Sequence, residues 1–428
     1  MFPGAFLFHS HPLAGLRAFH RLGKGPPMET YQIIQQGDDY LLPVYNRQKI
    51  VLMRGEGAHV YDSERVVYLD FFSGIAVNGL GHACPEVVEA IIAETKKLAH
   101  VSNYYYNTPN VQLAKLLCEV SFAQKVFFCN SGTEAVEAAL KLSRKYFRRM
   151  GQDRYEIISF FQSFHGRTFG ALSATGQVKF QEGLDPLLPG IRHAQFNNIG
   201  SVKKLIGEKT AAVMVEVIQC EGGIHLADKE FLKELRTLTR ENGIFLILDE
   251  VQTGLGRTGK MWAYEHYDIE PDMMVSAKAL GGGLPMGALL VTNQAAQGFK
   301  PGDHASTFGG NPIVSAAAIA NIETIISKDL VLHAAKIGEY LKKRLMEVAQ
   351  AYPQLFKEWR GMGLVQGLEM NRKAASLVSL CAKQGLLVGS ANENVLRFLP
   401  PLIIKEPDVE QAIERLKKAI EEELKATP

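Results

Sequence analysis

Short apolar runs alternate with helix-period segments through the middle of the chain. Runs at 244–248 and 273–275 are bounded by turn residues, and charged side chains follow each of them. Similar runs lie at 126–129, 156–160 and 211–217. Apolar runs this short, placed between helical patterns, are typical of the parallel strands of an α/β sheet. The pattern therefore predicts an α/β fold with parallel strands at its centre.

The two ends of the chain show different patterns. Residues 43–74 alternate apolar and polar positions between turn signals, which predicts short antiparallel strands. From about residue 331 a helical pattern, several strand-like segments and a final amphipathic helix follow one another, which is typical of an α+β module. We therefore predict an N-terminal extension at 1–27, part of a small domain at 28–71, a large domain at 72–328 and a C-terminal small domain at 329–428.

Composition narrows the class of protein. The chain has 428 residues, 46% of them hydrophobic and 21% charged, which fits a globular protein of about two domains. A net charge of +2 gives no support for a nucleic-acid partner, and no run approaches the roughly 18 apolar residues of a membrane helix. The five cysteines are widely spaced and no histidine cluster has metal-ligand spacing, so we expect free thiols, no metal and a cytoplasmic protein.

The first 27 residues differ in composition from the rest of the chain. They contain no Asp or Glu but include Arg17, Arg21 and Lys24. Acid-poor N-termini that contain arginine include organelle transit peptides, in which case the protein would reach the mitochondrial matrix. A disordered extension, or a start placed too far upstream of Met28, is the interpretation that we favour.

Charged residues follow two of the predicted strands. Asp249 comes directly after the run at 244–248, and Lys278 follows the run at 273–275 and precedes a glycine turn at 281–283. Ligands of α/β sheets bind at the carboxyl ends of strands. A carboxylate and a lysine there indicate a pyridoxal-phosphate (PLP) site, with the lysine attached covalently and the aspartate paired with the pyridinium nitrogen. From these two residues alone, an ordinary strand-end salt bridge is the alternative.

A second strand end has the pattern of a phosphate site. The run at 126–129 leads into Ser131, Gly132 and Thr133, and a helical pattern follows. The free N–H groups and the dipole of a helix N-terminus both favour an anion. A plain helix cap would use the same residue types, so this segment supports the cofactor site only alongside the lysine.

Other polar residues lie where an apolar core does not favour them. Phe164 and Arg167 follow the run at 156–160, where an aromatic ring can stack on a pyridine ring and an arginine can bind a carboxylate. Glu216 and Arg397 lie inside apolar strand patterns. Because a buried charge without a partner is costly, we expect each of them to be paired.

Eight motifs follow one another from about Leu42 almost to the C-terminus: YLDFFSGIAVNGLGH, SNYYYNTP, NSGTEA, FHGRT, LDEVQTGLGRTG, AKALGGGLPMGA, STFGGNP and RFLPP. In this order and spacing the chain resembles the class III PLP-dependent aminotransferases. The resemblance implies the aspartate-aminotransferase-like fold, with a mostly parallel mixed sheet in the large domain and a small α+β domain. It also implies a homodimer whose active sites lie across the interface.

The resemblance implies a role for each matching residue. Lys278 would carry the cofactor and move the proton, and Asp249 would keep the pyridine nitrogen protonated. The remaining cofactor contacts would be Ser131 and Gly132 at the phosphate, Phe164 and Val251 on the two ring faces, Gln252 at the phenolic oxygen, and Thr307 at the phosphate from the second subunit. Ser306 would contact the substrate.

The resemblance further implies two small-molecule substrates. The δ-amino group of N2-acetylornithine would pass to 2-oxoglutarate, a step in arginine synthesis. Arg167 would bind the distant carboxylate of either substrate, and Arg397 the α-carboxylate of glutamate. Glu216 would pair with Arg397 when no α-carboxylate is present. A related ω-aminotransferase acting on ornithine, succinylornithine, N-succinyl-diaminopimelate or 4-aminobutyrate is the alternative.

Overall fold

The computed structural model describes residues 29–426, so the predictions made for residues 1–27 lie outside it. The helices are α1 (Thr30–Tyr40), α2 (Ser73–Ala76), α3 (Pro85–Thr95), α4 (Thr108–Glu119), α5 (Gly132–Arg149), α6 (Phe169–Ala174), α7 (Ile199–Leu205), α8 (Lys229–Glu241), α9 (Asn293–Ala296), α10 (Pro312–Ser327), α11 (Leu330–Ala351), α12 (Ala375–Lys383) and α13 (Glu406–Ala426).

Within the described residues the strands form four sheets. In chain order they are β1 (Leu52–Glu56), β2 (His59–Asp62), β3 (Val67–Asp70), β4 (Lys125–Cys129), β5 (Glu156–Phe160), β6 (Ile191–Ala194), β7 (Thr210–Glu216), β8 (Ile218–Gln219), β9 (His225–Leu226), β10 (Phe245–Asp249), β11 (Met273–Ser276), β12 (Gly287–Val291), β13 (Phe356–Met362), β14 (Val365–Met370), β15 (Leu386–Leu387), β16 (Gly389–Ala391) and β17 (Val395–Phe398).

The central sheet has seven strands in the order β4-β12-β11-β10-β7-β5-β6. Strand β12 runs antiparallel to both of its neighbours, and the other pairs are parallel. This confirms the predicted α/β fold and its mostly parallel mixed sheet. The register places Asp249 of β10 opposite Glu216 of β7 and Val275 of β11. The polar ends of these three strands therefore meet at one edge of the sheet.

Helices cover both faces of this sheet, because its central strands are apolar on both sides. All five residues of β10 are buried. Leu246 and Leu248 belong to one core with Leu232 and Leu235 of α8, whereas Ile247 belongs to a second core with residues of α5. Because the two faces of β10 pack into two different cores, its sequence is apolar throughout and does not alternate between apolar and polar residues.

Two smaller four-stranded sheets are built from the ends of the chain. One has the order β1-β2-β3-β15 and the other β13-β14-β17-β16. Strand β15, near the C-terminus, pairs in parallel with β3 through Leu386 and Leu69. The segments 28–71 and 329–428 thus share a sheet, and the boundaries that we assign to the domains stay predictions.

Within residues 29–426, no helix is both long and apolar enough to cross a membrane. The same part of the chain contains no group of three or more His, Cys, Asp or Glu side chains arranged to hold a metal ion. All five cysteines are free thiols.

Truncating the centre of the sheet tests how far the fold depends on it. Ile247 is fully buried, so Ile247→Ala should lower the free energy of unfolding by about 2–5 kcal/mol through lost burial and a residual cavity. Leu332 is 56% exposed, so Leu332→Ala should change the free energy of unfolding by only about 0.5 kcal/mol. Urea denaturation followed by circular dichroism measures both, and equal losses would contradict the assignment of the core.

Candidate active site

The carboxyl ends of the central strands open into a cavity of about 490 Å³. Its size lies in the range of pockets that bind cofactors and small substrates. Three elements bring the chemistry together there: the end of β10, the turn after β11 and the first turn of α5. The predicted residues that line the cavity are Ser131, Gly132, Phe164, Arg167, Glu216, Asp249, Val251, Gln252 and Lys278.

Lys278 lies just beyond β11 in a backbone conformation that lysine rarely adopts. Its φ of 45° falls in the left-handed region, which favours glycine and is often found at functional sites. Burial lowers the pKa of its amine below the ordinary value, although the nearby Glu221 carboxylate opposes the shift. A lowered pKa increases the uncharged fraction of the amine, which is the form that acts as a nucleophile or base.

Asp249 is fixed by two hydrogen bonds. The Nδ1–H group of His165 donates to its Oδ2 at 2.8 Å, and the backbone N–H of Val251 donates to its Oδ1 at 3.0 Å. His165 is buried, and its Nε2 has no hydrogen-bond partner among the described residues. His165 lies directly behind Asp249. It orients the carboxylate at the cavity wall.

The first turn of α5 has the features of an anion site. Ser131 caps the helix, its Oγ accepting from the N–H of Glu134, and the first N–H groups of a helix lack acceptors within it. A Cβ atom on Gly132 would lie only 3.0 Å from Val251 Cγ2. Glycine therefore lets Val251 approach this turn closely and keeps the cavity open.

Aromatic rings hold Arg167 at the mouth of the cavity. Its guanidinium group lies 3.9 Å from the ring centre of Phe180 and 5.5 Å from that of Phe164. Cation–π contacts of this kind restrict a side chain that would otherwise be free in solvent. Phe180 is a site residue that the sequence did not indicate.

Arg397 lies in β17 and pairs with a carboxylate that the sequence left unassigned. Its Nη1 lies 2.6 Å from Glu221 Oε1 and 3.3 Å from the side-chain oxygen of Gln252. The amide group of Gln252 also donates to Glu221 at 3.3 Å. Burial by itself raises the pKa of Glu221, but the Arg397 and Lys278 cations outweigh it and the pKa lies below its ordinary value. Glu221 therefore carries the charge that neutralises Arg397.

The predicted pairing of Glu216 with Arg397 is wrong in this structure. Glu216 accepts a hydrogen bond from the backbone N–H of Phe164 at 3.0 Å, and it lies opposite Asp249 in the neighbouring strand. Burial and then repulsion from Asp249 raise the pKa of Glu216 well above its ordinary value. A carboxyl group with a raised pKa loses its proton less readily, whereas Glu221, in the turn beyond the strand end, lies beside Arg397 with a lowered pKa and balances its charge.

Ser306 and Thr307 lie outside the cavity that holds Lys278. They line a separate cavity of about 670 Å³ together with Asn103 and Tyr104. The side-chain amide of Asn130, which precedes the first turn of α5, donates to Ser306 Oγ at 3.3 Å. The two residues are thus near the site without lining it in a single chain.

The residues present fit PLP. The lysine amine, the fixed carboxylate of Asp249 and the first turn of α5 all line one cavity, and Gly132 leaves space where a Cβ atom would lie against Val251. The donor set matches a cofactor with an aldehyde, a ring nitrogen and a phosphate group. Phe164 and Val251 supply apolar surfaces for its ring.

Comparison with known proteins gives a consistent picture. The family model described as Aminotransferase class-III matches residues 43–420. The acetylornithine aminotransferase of Caldanaerobacter subterraneus subsp. tengcongensis is 48% identical over 90% of this chain and 98% of its own length. The enzyme of the same name from Aquifex aeolicus is 46% identical over 89% of this chain and all of its own length.

A solved structure extends the similarity to the fold and the cofactor. The ornithine aminotransferase of Toxoplasma gondii, described with partial occupancy of PLP at its active site, superposes with a TM-score of 0.89. The alignment covers 97% of this chain and all of that chain, at 28% sequence identity. PLP is therefore the cofactor of this protein.

The raised pKa of Glu216 leads to a prediction about a substitution that keeps the shape of the side chain. Glu216→Gln keeps an oxygen that can accept the N–H of Phe164, so turnover should fall less than about threefold, the loss of only part of one hydrogen bond. Glu221→Gln, which removes the charge beside Arg397, should perturb turnover more. A larger loss from Glu216→Gln would show that Glu216 works as an anion.

The same substitution should change how stability depends on pH. A glutamate whose pKa is raised on folding contributes stability that is present below its unfolded pKa, near 4.5, and is lost as the pH rises through the folded pKa. The amide introduced by Glu216→Gln does not titrate, so the variant should gain stability relative to the wild type as the pH rises above 4.5. Melting temperatures measured across the range would contradict this if the difference stayed constant.

Proposed function

The chain belongs to the class-III aminotransferases, and on that premise we propose that it transfers the δ-amino group of N2-acetylornithine to 2-oxoglutarate. The products would be N-acetylglutamate 5-semialdehyde and glutamate. The observation that carries the choice of donor is that relatives named for acetylornithine reach 48% identity over 90% of this chain. Such a step would serve arginine synthesis in the cytoplasm.

The cavity residues divide the binding of PLP among them. The first turn of α5, with Ser131 and Gly132, would hold the phosphate, and Phe164 and Val251 would enclose the ring. Asp249 would lie at the ring nitrogen and favour its protonated form. When bound, the cofactor supplies an electron sink that makes the hydrogen beside the transferred nitrogen acidic.

Proton transfer would fall to Lys278. Its amine, with a pKa lowered by burial, can accept the proton from the substrate carbon that bears the transferred nitrogen. The same amine can later return a proton. His165 keeps Asp249 oriented throughout through its 2.8 Å hydrogen bond.

Two arginines would allow one cavity to accept both substrates. Arg167 at the cavity mouth would bind the α-carboxylate of N2-acetylornithine or the side-chain carboxylate of glutamate. Glu221 would neutralise Arg397 while the ω-amine is bound, as it does at 2.6 Å in this structure. With glutamate, the α-carboxylate would take the place of Glu221 on Arg397.

A homodimer with shared active sites completes the proposal. Ser306 and Thr307 lie on a separate cavity beside Asn130, and the neighbouring Tyr104, Tyr105 and Tyr106 are 94%, 73% and 95% exposed. Exposed aromatic residues in a row are typical of an interface. Thr307 of one subunit would then reach the cofactor phosphate of the other.

A related ω-aminotransferase is the second candidate. The specific observation in its favour is the TM-score of 0.89 with an ornithine aminotransferase, whose backbone matches almost the whole chain. Acceptance or rejection of an acyl group depends on only a few kcal/mol of differential binding. A direct substrate comparison therefore decides between the two.

Single-turnover kinetics of the purified PLP form would test the donor. N2-acetylornithine should convert the lysine-bound cofactor fastest. The conversion is measured as the loss of the cofactor's visible absorbance. Ornithine, N-succinyl-diaminopimelate and 4-aminobutyrate should each be at least about tenfold slower, a difference of about 1.4 kcal/mol. Lys278→Ala is the control and should show no turnover. A preference for ornithine or 4-aminobutyrate would support the second candidate instead.

Removal of the Glu221 carboxylate would test how the two substrates share the cavity. Glu221→Ala leaves Arg397 without its counter-ion, so the variant should bind glutamate more readily and process the ω-amine less well. We expect the ratio of kcat/KM for N2-acetylornithine to that for glutamate to fall at least about tenfold, since a charged hydrogen bond contributes about 1.5–3 kcal/mol. An unchanged ratio would contradict the role of Glu221.

A further inference from the structure

A short hairpin carries the carboxylate that neutralises Arg397. Strands β8 and β9 pair through Ile218 with Leu226 and Gln219 with His225, and the turn between them carries Glu221. One face of this hairpin borders the active-site cavity, and the other borders a separate cavity of about 580 Å³. Strand β13 of the C-terminal sheet contributes to that second cavity. The position of Glu221 thus depends on contacts made on both faces.

The C-terminal segment ties the turn at three points. Arg360 Nη1 donates to the backbone oxygen of Gly223 at 2.8 Å, and the N–H of Asn392 donates to the backbone oxygen of Glu221 at 3.1 Å. The third tie is the 2.6 Å pair between Arg397 and the Glu221 side chain. Only this third tie has to break when a substrate carboxylate displaces Glu221. The first two would keep the turn in place while the side chain moves.

Arg360 is itself held in position by its neighbours. Its Nε donates to Glu358 at 2.5 Å, and its Nη2 is paired with Glu369 across the β13–β14 hairpin. Its Nη1 also lies 3.2 Å from His225 Nε2. Burial and then the Arg360 guanidinium lower the pKa of His225, which favours the neutral imidazole that can accept this hydrogen bond. The planar guanidinium fork uses all three of its nitrogens, a geometry that lysine cannot reproduce.

We propose that Arg360 is a positioning residue that holds the turn carrying Glu221, and so sets how strongly Glu221 competes with a substrate α-carboxylate for Arg397. The proposal rests on the two-substrate role assigned to Arg397 above. Without the bond to Gly223 the turn can move away from β17, and Glu221 spends less time on Arg397. The enzyme should then favour glutamate over the ω-amine, as it would without Glu221 but to a smaller extent.

A double-mutant cycle on the PLP-loaded full chain tests this role. Arg360→Gln would be made in the wild type and in the Glu221→Ala background, and both half-reactions would be measured for each protein. We expect the kcat/KM ratio of N2-acetylornithine to glutamate to fall about three- to tenfold in the wild type, up to the loss of one charged hydrogen bond. In the Glu221→Ala background, where there is no carboxylate to position, the ratio should not change.

Arg344→Gln is a matched control. Arg344 also lies in the C-terminal segment and pairs with two carboxylates, those of Glu347 and Glu410, but it does not contact the hairpin. Its replacement should leave the substrate ratio unchanged. Hydrogen exchange offers a readout apart from activity: backbone amides of residues 219–226 should exchange faster in Arg360→Gln and not in Arg344→Gln.

The outcomes distinguish a failure of the positioning role of Arg360 from a failure of the two-substrate role of Arg397. An unchanged ratio and unchanged exchange in Arg360→Gln, or an equal fall in both backgrounds, would overturn the positioning role. An unchanged ratio in Glu221→Ala itself would instead locate the failure in the two-substrate role, and the role of Arg360 would fall with it. If Arg360→Gln fails to fold, Arg360→Lys keeps the charge beside Glu358 and Glu369 but lacks the planar guanidinium group. It should shift the kcat/KM ratio in the same direction.

Discussion

The opposition of Glu216 and Asp249 in adjacent parallel strands is the constraint on which the active site depends. The register of β7 and β10 brings two carboxyl groups to one buried edge, where both cannot stay charged at low cost. Two hydrogen bonds fix the orientation of the Asp249 carboxylate, whereas burial and repulsion raise the pKa of Glu216. The site thus holds one carboxylate in a fixed orientation, and Glu216, with its raised pKa, accepts the backbone N–H of Phe164.

A second pair of charges joins the central sheet to the C-terminal one. Arg397 comes from β17, and its partner Glu221 comes from the turn that follows β7 and β8. A buried cation without a partner would be strongly destabilising, so this pair couples the two sheets across the cavity. Lys278 and Asp249 therefore lie at strand ends of the central sheet, whereas the Arg397–Glu221 pair, which we propose distinguishes the substrates, lies at the junction with the C-terminal sheet.

Local patterns predicted the strands and the chemistry at their ends, but not which strands lie side by side. The apolar runs before Asp249 and Lys278 indicated both residues, because each marks the abrupt end of a buried strand. Sheet order depends on contacts between distant parts of the chain, so the register of β7 with β10 was not available from the pattern. The resemblance implied that Glu216 pairs with Arg397, and only the register shows that Glu216 lies opposite Asp249 instead. Glu221, beyond the strand end and before two glycines, carried the same strand-end signal as Asp249.

One cavity could serve two substrates because one carboxylate would replace another on Arg397. Breaking the pair between Arg397 and Glu221 would cost several kcal/mol if nothing replaced the carboxylate. The α-carboxylate of glutamate offers the same charge and geometry, so the exchange would be nearly balanced in free energy, and a small change in how the turn is held would shift it. An ω-amine with its carboxylate at Arg167 brings no such group to Arg397, and the original pair would persist. The position of the turn that carries Glu221 would then set the relative rates of the two half-reactions. No residue that touches the reacting atoms would have to change.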